Sequence, residues 1–240
     1  LTAGNVVKPQ RLSVLVPVYN ERATIERLLR AVVAVDTGLQ LEVLVGDDGS
    51  SDGTREILSN LALPGVQVIF MPENVGRGGV IKYLWTLATG DIMVHQDADL
   101  EYDPQDYVPL LQPLLHDRAD VVYGSRFKGS IEKMRWLNRM GNHTMTAAAR
   151  LLYGVRVSDL MTCYKMYRAS LIRGLHIQAN GFDFEAEFTA RLAQRRARFA
   201  EVPVSFSGRT FEEGKKIRAF DAVRVMRELV RCRVTGEARG

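Results

Sequence analysis

Asp97-Ala98-Asp99 stands one residue beyond the apolar run Ile92 to His95, with Glu101 and Asp103 close behind. Two carboxylates one residue apart can supply the hard oxygens a divalent cation needs, leaving its other positions to phosphate oxygens and water. The spacing alone says little, because turns are rich in Asp. Position adds weight: in an open parallel sheet the ligand crevice lies beyond the carboxyl ends of the strands. Two further apolar runs end in the same polar manner, the first in Pro17-Val18-Tyr19-Asn20-Glu21 and the second in Asp47-Asp48-Gly49-Ser50. Carboxylates gathered at one rim repel unless a cation or specific hydrogen bonds offset them. The expected chemistry is a metal held by Asp97 and Asp99, with Glu101 and Asp103 next to them, and a solvated acidic turn is the alternative.

Three other segments could do chemistry. In Asp47 to Thr54, Ser51 or Asp52 can cap the following helix. That leaves Asp47 and Asp48 unexplained, and a carboxylate facing a nucleobase imide N–H accounts for one of them, Asp48 by preference. Glu73-Asn74-Val75-Gly76-Arg77-Gly78-Gly79 opens a helix with backbone N–H groups and Arg77 available to an anion. It is neither a dinucleotide fingerprint nor a phosphate loop, and a plain flexible turn is the alternative. Gly181 to Phe188 begins a helix with acidic residues in its first turns, which suits the helix dipole in any protein. If the reaction needs a general base, Asp183 or Glu185 is the candidate.

The elements that must position these residues follow from periodicity. Strands are expected at 11–16, 41–45, 66–70, 92–95 and 120–123, with helices at 24–35, 53–61 and 76–88 and another starting at Pro104. Strand and helix alternate, which predicts a single-domain α/β fold, Rossmann-like, with a mainly parallel central sheet flanked by helices. Beyond Trp136 longer helices surround short strands at 164–167 and 199–204, and a final helix covers about 220–231. In it Phe220, Val223, Met226, Leu229 and Val230 recur at helical spacing, with Arg224, Arg227 and Arg231 largely elsewhere.

With 240 residues, 46% of them hydrophobic, the chain can bury a core without a disulfide or structural metal. Cys163 and Cys232 read as reduced thiols, and the four scattered histidines show no zinc spacing. No apolar run is long enough for a transmembrane helix. The net charge of +4 is concentrated in the tail, where Lys215 to Arg239 holds eight Lys/Arg against Asp221, Glu228 and Glu237. That distribution suggests an ordinary basic surface helix or one resting on an anionic membrane face, and nothing suggests nucleic acid. The division expected is an extension over 1–10, a catalytic domain over 11–220 with its donor half at about 11–100, and a basic tail over 221–240.

Taken in order, Val16 to Glu21, Asp47 to Thr54, Asn74 to Gly78 and Asp97-Ala98-Asp99 resemble glycosyltransferase family 2, with its GT-A fold. Gly124-Ser125-Arg126-Phe127, Arg139 to Asn142, Ser158 to Lys165 and Arg209 to Lys215 look most like its polyprenyl-phosphate, dolichol-phosphate mannose synthase-like branch. The resemblance implies that the Pro17 to Glu21 loop (Tyr19 and Asn20 included), Asp47, Asp48, Gly76, Arg77, Asp97 and Ala98 hold a nucleotide sugar. It further implies Mg²⁺ or Mn²⁺ at Asp97, Asp99 and Glu101, although many relatives carry Gln at the last position. Arg126, Arg139, Arg209 and Lys215 fall where that branch contacts phosphate.

The activity implied by this resemblance is inverting transfer from a nucleoside-diphosphate sugar, with Asp97, Asp99 and Arg126 catalytic, to a polyprenyl-phosphate acceptor. The enzyme would sit peripherally at the cytoplasmic face of a membrane. A phosphate monoester is largely a dianion at neutral pH and needs positive groups to orient it, whereas a hydroxyl needs a base. A soluble hydroxyl acceptor, a nucleotidyltransferase and a non-catalytic nucleotide-sugar binding module are the competing readings.

Overall fold

The computed structural model describes residues 9–134, 136–209 and 219–236. β1 (Arg11–Val18) and β2 (Gln40–Asp47) carry near-continuous apolar residues, as strands covered on both faces must. They pair in parallel with β3 (Val66–Phe70) and β4 (Ile92–His95), in registers that set Val18 opposite Asp47 and Leu15 opposite His95. The seven-stranded sheet runs β3-β2-β1-β4-β7-β5-β8, where β5 is Val121–Ser125, β7 Lys165–Arg168 and β8 Phe199–Pro203. β7 is antiparallel to both its neighbours, and β5 and β8 are parallel to each other. The strand order reverses between β1 and β4, so the crevice of such a sheet opens beyond their carboxyl ends.

Alternation along each strand sends side chains into two layers. Val14 and Val16 meet Ile25, Leu28 and Val32 of α1 (Ile25–Val33) and Tyr107, Leu110 and Leu114 of α4 (Tyr107–Leu115). α2 (Thr54–Asn60) lies beside α1. Leu15 and Leu44 point the other way, to Val80, Ile81 and Leu84 of α3 (Arg77–Leu87), with Met145 of α5 (Trp136–Tyr153) and Phe184 of α6 (Phe184–Gln194) in the same layer. α3 presses so closely that a Cβ on Gly46 would meet Val80 Cγ1 at 2.4 Å. These elements agree with the sequence reading to within about two residues at most ends, the usual ambiguity of frayed termini. The sequence missed β6 (Ile131–Glu132) and β9 (Phe206–Ser207), which pair with each other and are too short to show a period.

α7 (Ala219–Thr235) packs on α5 and α6 rather than trailing free. Its buried face is Val225, Glu228, Leu229 and Cys232, while Val223 and Val230 are 61% and 51% exposed. This corrects the expected apolar stripe: the 3.6-residue period holds, but the face turned inward admits a polar residue because Glu228 pairs with Arg231 at 3.0 Å and Arg231 reaches Glu187 of α6 at 2.9 Å. Cys232 donates to Glu228 at 3.2 Å, and both cysteines are free thiols.

At the end of β4, His95 is fully buried against Tyr167, Phe184 and Phe188. Its Nε2 pairs with the Tyr167 hydroxyl at 2.8 Å, while Nδ1 has no partner among the described residues. Burial, aided by the positive charges of Arg77 and Lys165, lowers the imidazole from 6.5 to about 3. The folded state therefore holds His95 neutral where the unfolded chain binds a proton, so its contribution is present above pH 6.5 and is lost as pH falls toward about 3. Replacing His95 with Phe is expected to flatten the melting temperature against pH over that interval, and an unchanged slope would show that other groups govern acid unfolding.

Candidate active site

A cleft of about 990 Å³, counting its open mouth, lies at the carboxyl ends of β1, β2 and β4. β1 ends in Pro17, Val18, Tyr19 and Glu21; β2 contributes Asp48; the turn after β4 supplies Asp97, Ala98, Asp99 and Glu101; α3 adds Arg77. Arg126 enters after β5, Met161 and Cys163 from the segment before β7, and Arg209 beyond β9. The three expected metal ligands therefore share one wall.

Each acid has a definite partner. Asp97 Oδ1 accepts from Arg77 Nε at 2.8 Å, and its Oδ2 accepts from the Cys163 thiol. Asp99 accepts the Glu101 N–H at 3.2 Å and Arg209 Nη2 at 3.1 Å. Arg209 also holds Glu21 through Nη1 at 2.9 Å and Nη2 at 3.1 Å, and its backbone N–H donates to Glu101 at 2.7 Å. Burial first, then the Asp97 and Glu101 charges, push the Asp99 carboxyl up to about 7 against the pull of Arg209.

The lining groups test whether a metal fits. Glu21, Asp48, Asp97, Asp99, Glu101 and Glu185 face three guanidiniums, those of Arg77, Arg126 and Arg209. An anionic diphosphate could not enter so acidic a cleft without a compensating cation. Asp97 and Asp99, with Glu101 beside them, are the hard oxygen donors that a divalent ion takes. The donor set fits.

Several expected residues lie elsewhere. Asp47 is fully buried behind the cleft, where it accepts from Arg55 Nε at 2.7 Å, so the Asp47-Asp48 pair divides into a structural and a cleft-facing carboxylate. Asn20, with φ 54°, braces the neighbouring loop by accepting the Ser51 N–H at 2.9 Å and is not among the residues lining the cleft. Gly76 turns the chain into α3 at φ 80°, where a Cβ would meet the Asn180 carbonyl at 2.6 Å. The expected anion contact with the N–H groups of that turn gives way to internal partners: Val75 and Gly76 donate to Asp48 at 2.7 and 2.9 Å, and Gly78 to the Asn180 carbonyl at 2.7 Å. Neither Ser51 nor Asp52 is the helix cap, since Gly53 holds that position, although Asp52 still accepts the Thr54 N–H at 3.0 Å. Arg139 lies exposed on α5 with its guanidinium 5.7 Å from the Phe127 ring, away from the cleft. Lys215 and residues 210–218 generally fall outside the described residues.

The candidate bases are also reassigned. Asp183 accepts the Gly181 N–H at 3.1 Å and does not line the cleft. Glu185 is 2% exposed and holds Lys165 with one oxygen and Arg77 with the other. Burial alone would raise this carboxyl, but Lys165 and then Arg77 bring it down to about 2. A carboxylate so firmly ionised and occupied is a counter-ion rather than a base.

Sequence reasoning missed the partner that fixes Arg126. Asp159, fully buried, takes Arg126 Nε at 2.7 Å and Nη2 at 2.8 Å, and Asn142 of α5 donates to the same carboxylate. A bidentate fork of this kind fixes the plane of the guanidinium as well as its position.

Comparison with known proteins agrees with this geometry. Residues 13–175 match the profile described as "Glycosyl transferase family 2". Undecaprenyl-phosphate mannosyltransferase of Micrococcus luteus is 31% identical over 219 residues, covering 85% of this chain and 87% of that protein. Polyprenol monophosphomannose synthase of Mycolicibacterium smegmatis is 29% identical, over 85% of this chain and 80% of its own. Among solved structures, glucosyl-3-phosphoglycerate synthase of Mycobacterium tuberculosis in complex with phosphoglyceric acid superposes with a TM-score of 0.73 at 23% identity, over 96% of this chain and 82% of that one. The same enzyme has been solved with Mn²⁺, UDP and phosphoglyceric acid, at a TM-score of 0.69. With the profile spanning all the cleft-forming strands from β1 to β7 and a relative above 30% identity along most of both chains, the chain belongs to glycosyltransferase family 2 and is a glycosyltransferase.

Proposed function

We propose that the enzyme moves a hexose from a nucleoside-diphosphate sugar, GDP-mannose or a UDP-sugar, to a polyprenyl-phosphate, with inversion and with Mg²⁺ or Mn²⁺ as cofactor. The observation that carries this is the pairing of every cleft carboxylate after Asp48 with a cation or an N–H, together with the absence of histidine from the described lining. Apart from the carboxylates assigned to the metal, such a cleft offers a hydroxyl no base, but it has Arg126 and Arg209 to orient an acceptor that is already anionic. Relatives named for undecaprenyl-phosphate and polyprenol monophosphate support the same acceptor class.

In this reading Asp48 and the Pro17 to Glu21 strand end receive the nucleoside, and Asp97 and Asp99, with Glu101 nearby, hold the metal. Bound there, the metal would neutralise charge on the departing diphosphate. Arg126, fixed by Asp159, orients the acceptor phosphate so that its oxygen forms the new bond to the anomeric carbon as the bond to the diphosphate breaks. No proton has to be removed from the attacking oxygen, so no base is required.

Two surface helices support a lipid-bound acceptor. α5 exposes Leu137, Met140 and Leu151 at 54%, 57% and 87%, with Trp136 at 66% beside them, and it contains no acidic residue. Arg139 and Arg150 share its exposed surface. α7 likewise exposes Val223, Val230 and Val234 among Arg224, Arg227 and Arg233. The acid-free apolar and basic surface of α5 suits an anionic bilayer face, and the basic residues of α7 add to it. Within the described residues no helix is long and apolar enough to cross a membrane.

The test offers undecaprenyl phosphate and undecaprenol in anionic vesicles, with labelled GDP-mannose or UDP-sugars and Mn²⁺. Label should enter the phosphate lipid and not the alcohol. Equal transfer to both, or preferential transfer to soluble glycans, would contradict the proposal.

A further inference from the structure

Lys165 opens β7 at 0% exposure and lines no part of the cleft. Its ammonium donates to the Leu160 carbonyl at 2.9 Å, to the Thr162 carbonyl at 3.0 Å and to Glu185. The Tyr123 ring lies 4.8 Å from it. The other Glu185 oxygen meets Arg77, and Arg77 reaches Asp97 at 2.8 Å. Positive and negative charges thus alternate from the strand beneath the cleft to its acidic wall: Lys165, Glu185, Arg77, Asp97.

The order matters because Arg77 serves two carboxylates with one charge. Were Glu185 unanswered from behind, it would compete with the cleft for the guanidinium. Lys165 supplies that answer from a desolvated position, where charges act on one another strongly. Two carbonyls and one carboxylate satisfy the ammonium, so it is fixed rather than mobile. Arg77 itself donates Nη2 to Cys163 at 3.3 Å, which keeps its planar group in the cleft wall.

We propose that Lys165 is a positioning residue that neutralises Glu185 from behind and so reserves the charge of Arg77 for the anionic donor. The inference rests on the sugar-nucleotide reading of the cleft. It separates Lys165 and Glu185, partners in one ion pair, by the sign of their effect on ligand binding. A pair that merely joins β7 to α6 would give both substitutions the same sign.

The experiment titrates GDP and UDP, each with Mn²⁺, into the wild-type protein, K165M, E185Q and the K165M/E185Q double variant, with binding read by calorimetry. K165M is expected to weaken the bound nucleotide by about tenfold or more. E185Q should bind as well as the wild type or more tightly, and the double variant should recover most of the loss. Equal weakening by both single variants, a double variant worse than either, or a K165M protein that binds normally would overturn the proposal while leaving the donor reading intact. A wild-type protein that binds neither nucleotide would overturn both. Should K165M fail to fold, E185Q and the double variant decide: a double variant that binds like E185Q supports the relay, because Lys165 has nothing left to neutralise, and a double variant that binds much more weakly than E185Q refutes it.

Discussion

Asp97→Asn and Asp99→Asn are each expected to lower kcat/KM for sugar transfer by about a thousandfold. They should also abolish the joint thermal stabilisation by Mn²⁺ and nucleotide, which depends on ligand binding to the folded state alone. The substituted amide at position 97 still offers an oxygen to Arg77 Nε, so the hydrogen bond of 2.8 Å has a replacement and the unliganded fold should lose little stability. Asp99 accepts with both oxygens, from the Glu101 N–H at 3.2 Å and from Arg209 at 3.1 Å, so the amide there keeps one of the two contacts and the loss of stability should be somewhat larger. What disappears is negative charge in the one place where a cation is needed. Full Mn²⁺-dependent turnover by either variant would remove that residue from the proposed metal site.

Arg126→Ala is expected to fail in a different way, losing both activity and stability. Burial alone would raise the Asp159 carboxyl, but Arg126, with help from Asn142, holds it below the usual range. Deleting the guanidinium strands a fully buried carboxylate, a change that costs about 3–5 kcal/mol. The lowered carboxyl also sets the sign of the pH effect. The pair's contribution is present above the ordinary Asp range near 3.8 and is lost as pH falls below it. Adding Asp159→Asn removes the stranded charge, so the double variant should recover much of the denaturant midpoint and none of the transfer to a phosphate lipid. Nucleotide affinity should stay close to the wild-type value in both. Recovery of transfer along with stability would reduce Arg126 to a structural role.

Much of the site was readable because apolar runs of strand length ended in polar clusters, and a parallel sheet brings such ends to one rim. Pro17, Tyr19, Glu21, Asp48, Arg77, Asp97, Ala98, Asp99, Glu101, Arg126 and Arg209 all line the cleft. The rest depended on partners distant in the chain. Asp47 reads as a twin of Asp48 until Arg55 is seen beneath it, and Glu185 reads as a base until Lys165 and Arg77 occupy both its oxygens. The inward face of α7 was misplaced for a related reason. A buried glutamate is expected only once its arginine is known, and hydrophobic periodicity does not register such pairs.

The single reversed strand has a consequence for how loops are supplied to the rim. In an all-parallel sheet every strand delivers only its trailing segment there. β7 runs against β4 and β5, so it delivers its leading segment instead, and residues 158–164 arrive on the way into the sheet. Asp159 can therefore meet Arg126 as it leaves β5, and Cys163 can meet Asp97 as it leaves β4. Lengthening the chain just ahead of Lys165 would shift both contacts at once, whereas an insertion after Arg168 would be absorbed on the far side of the molecule.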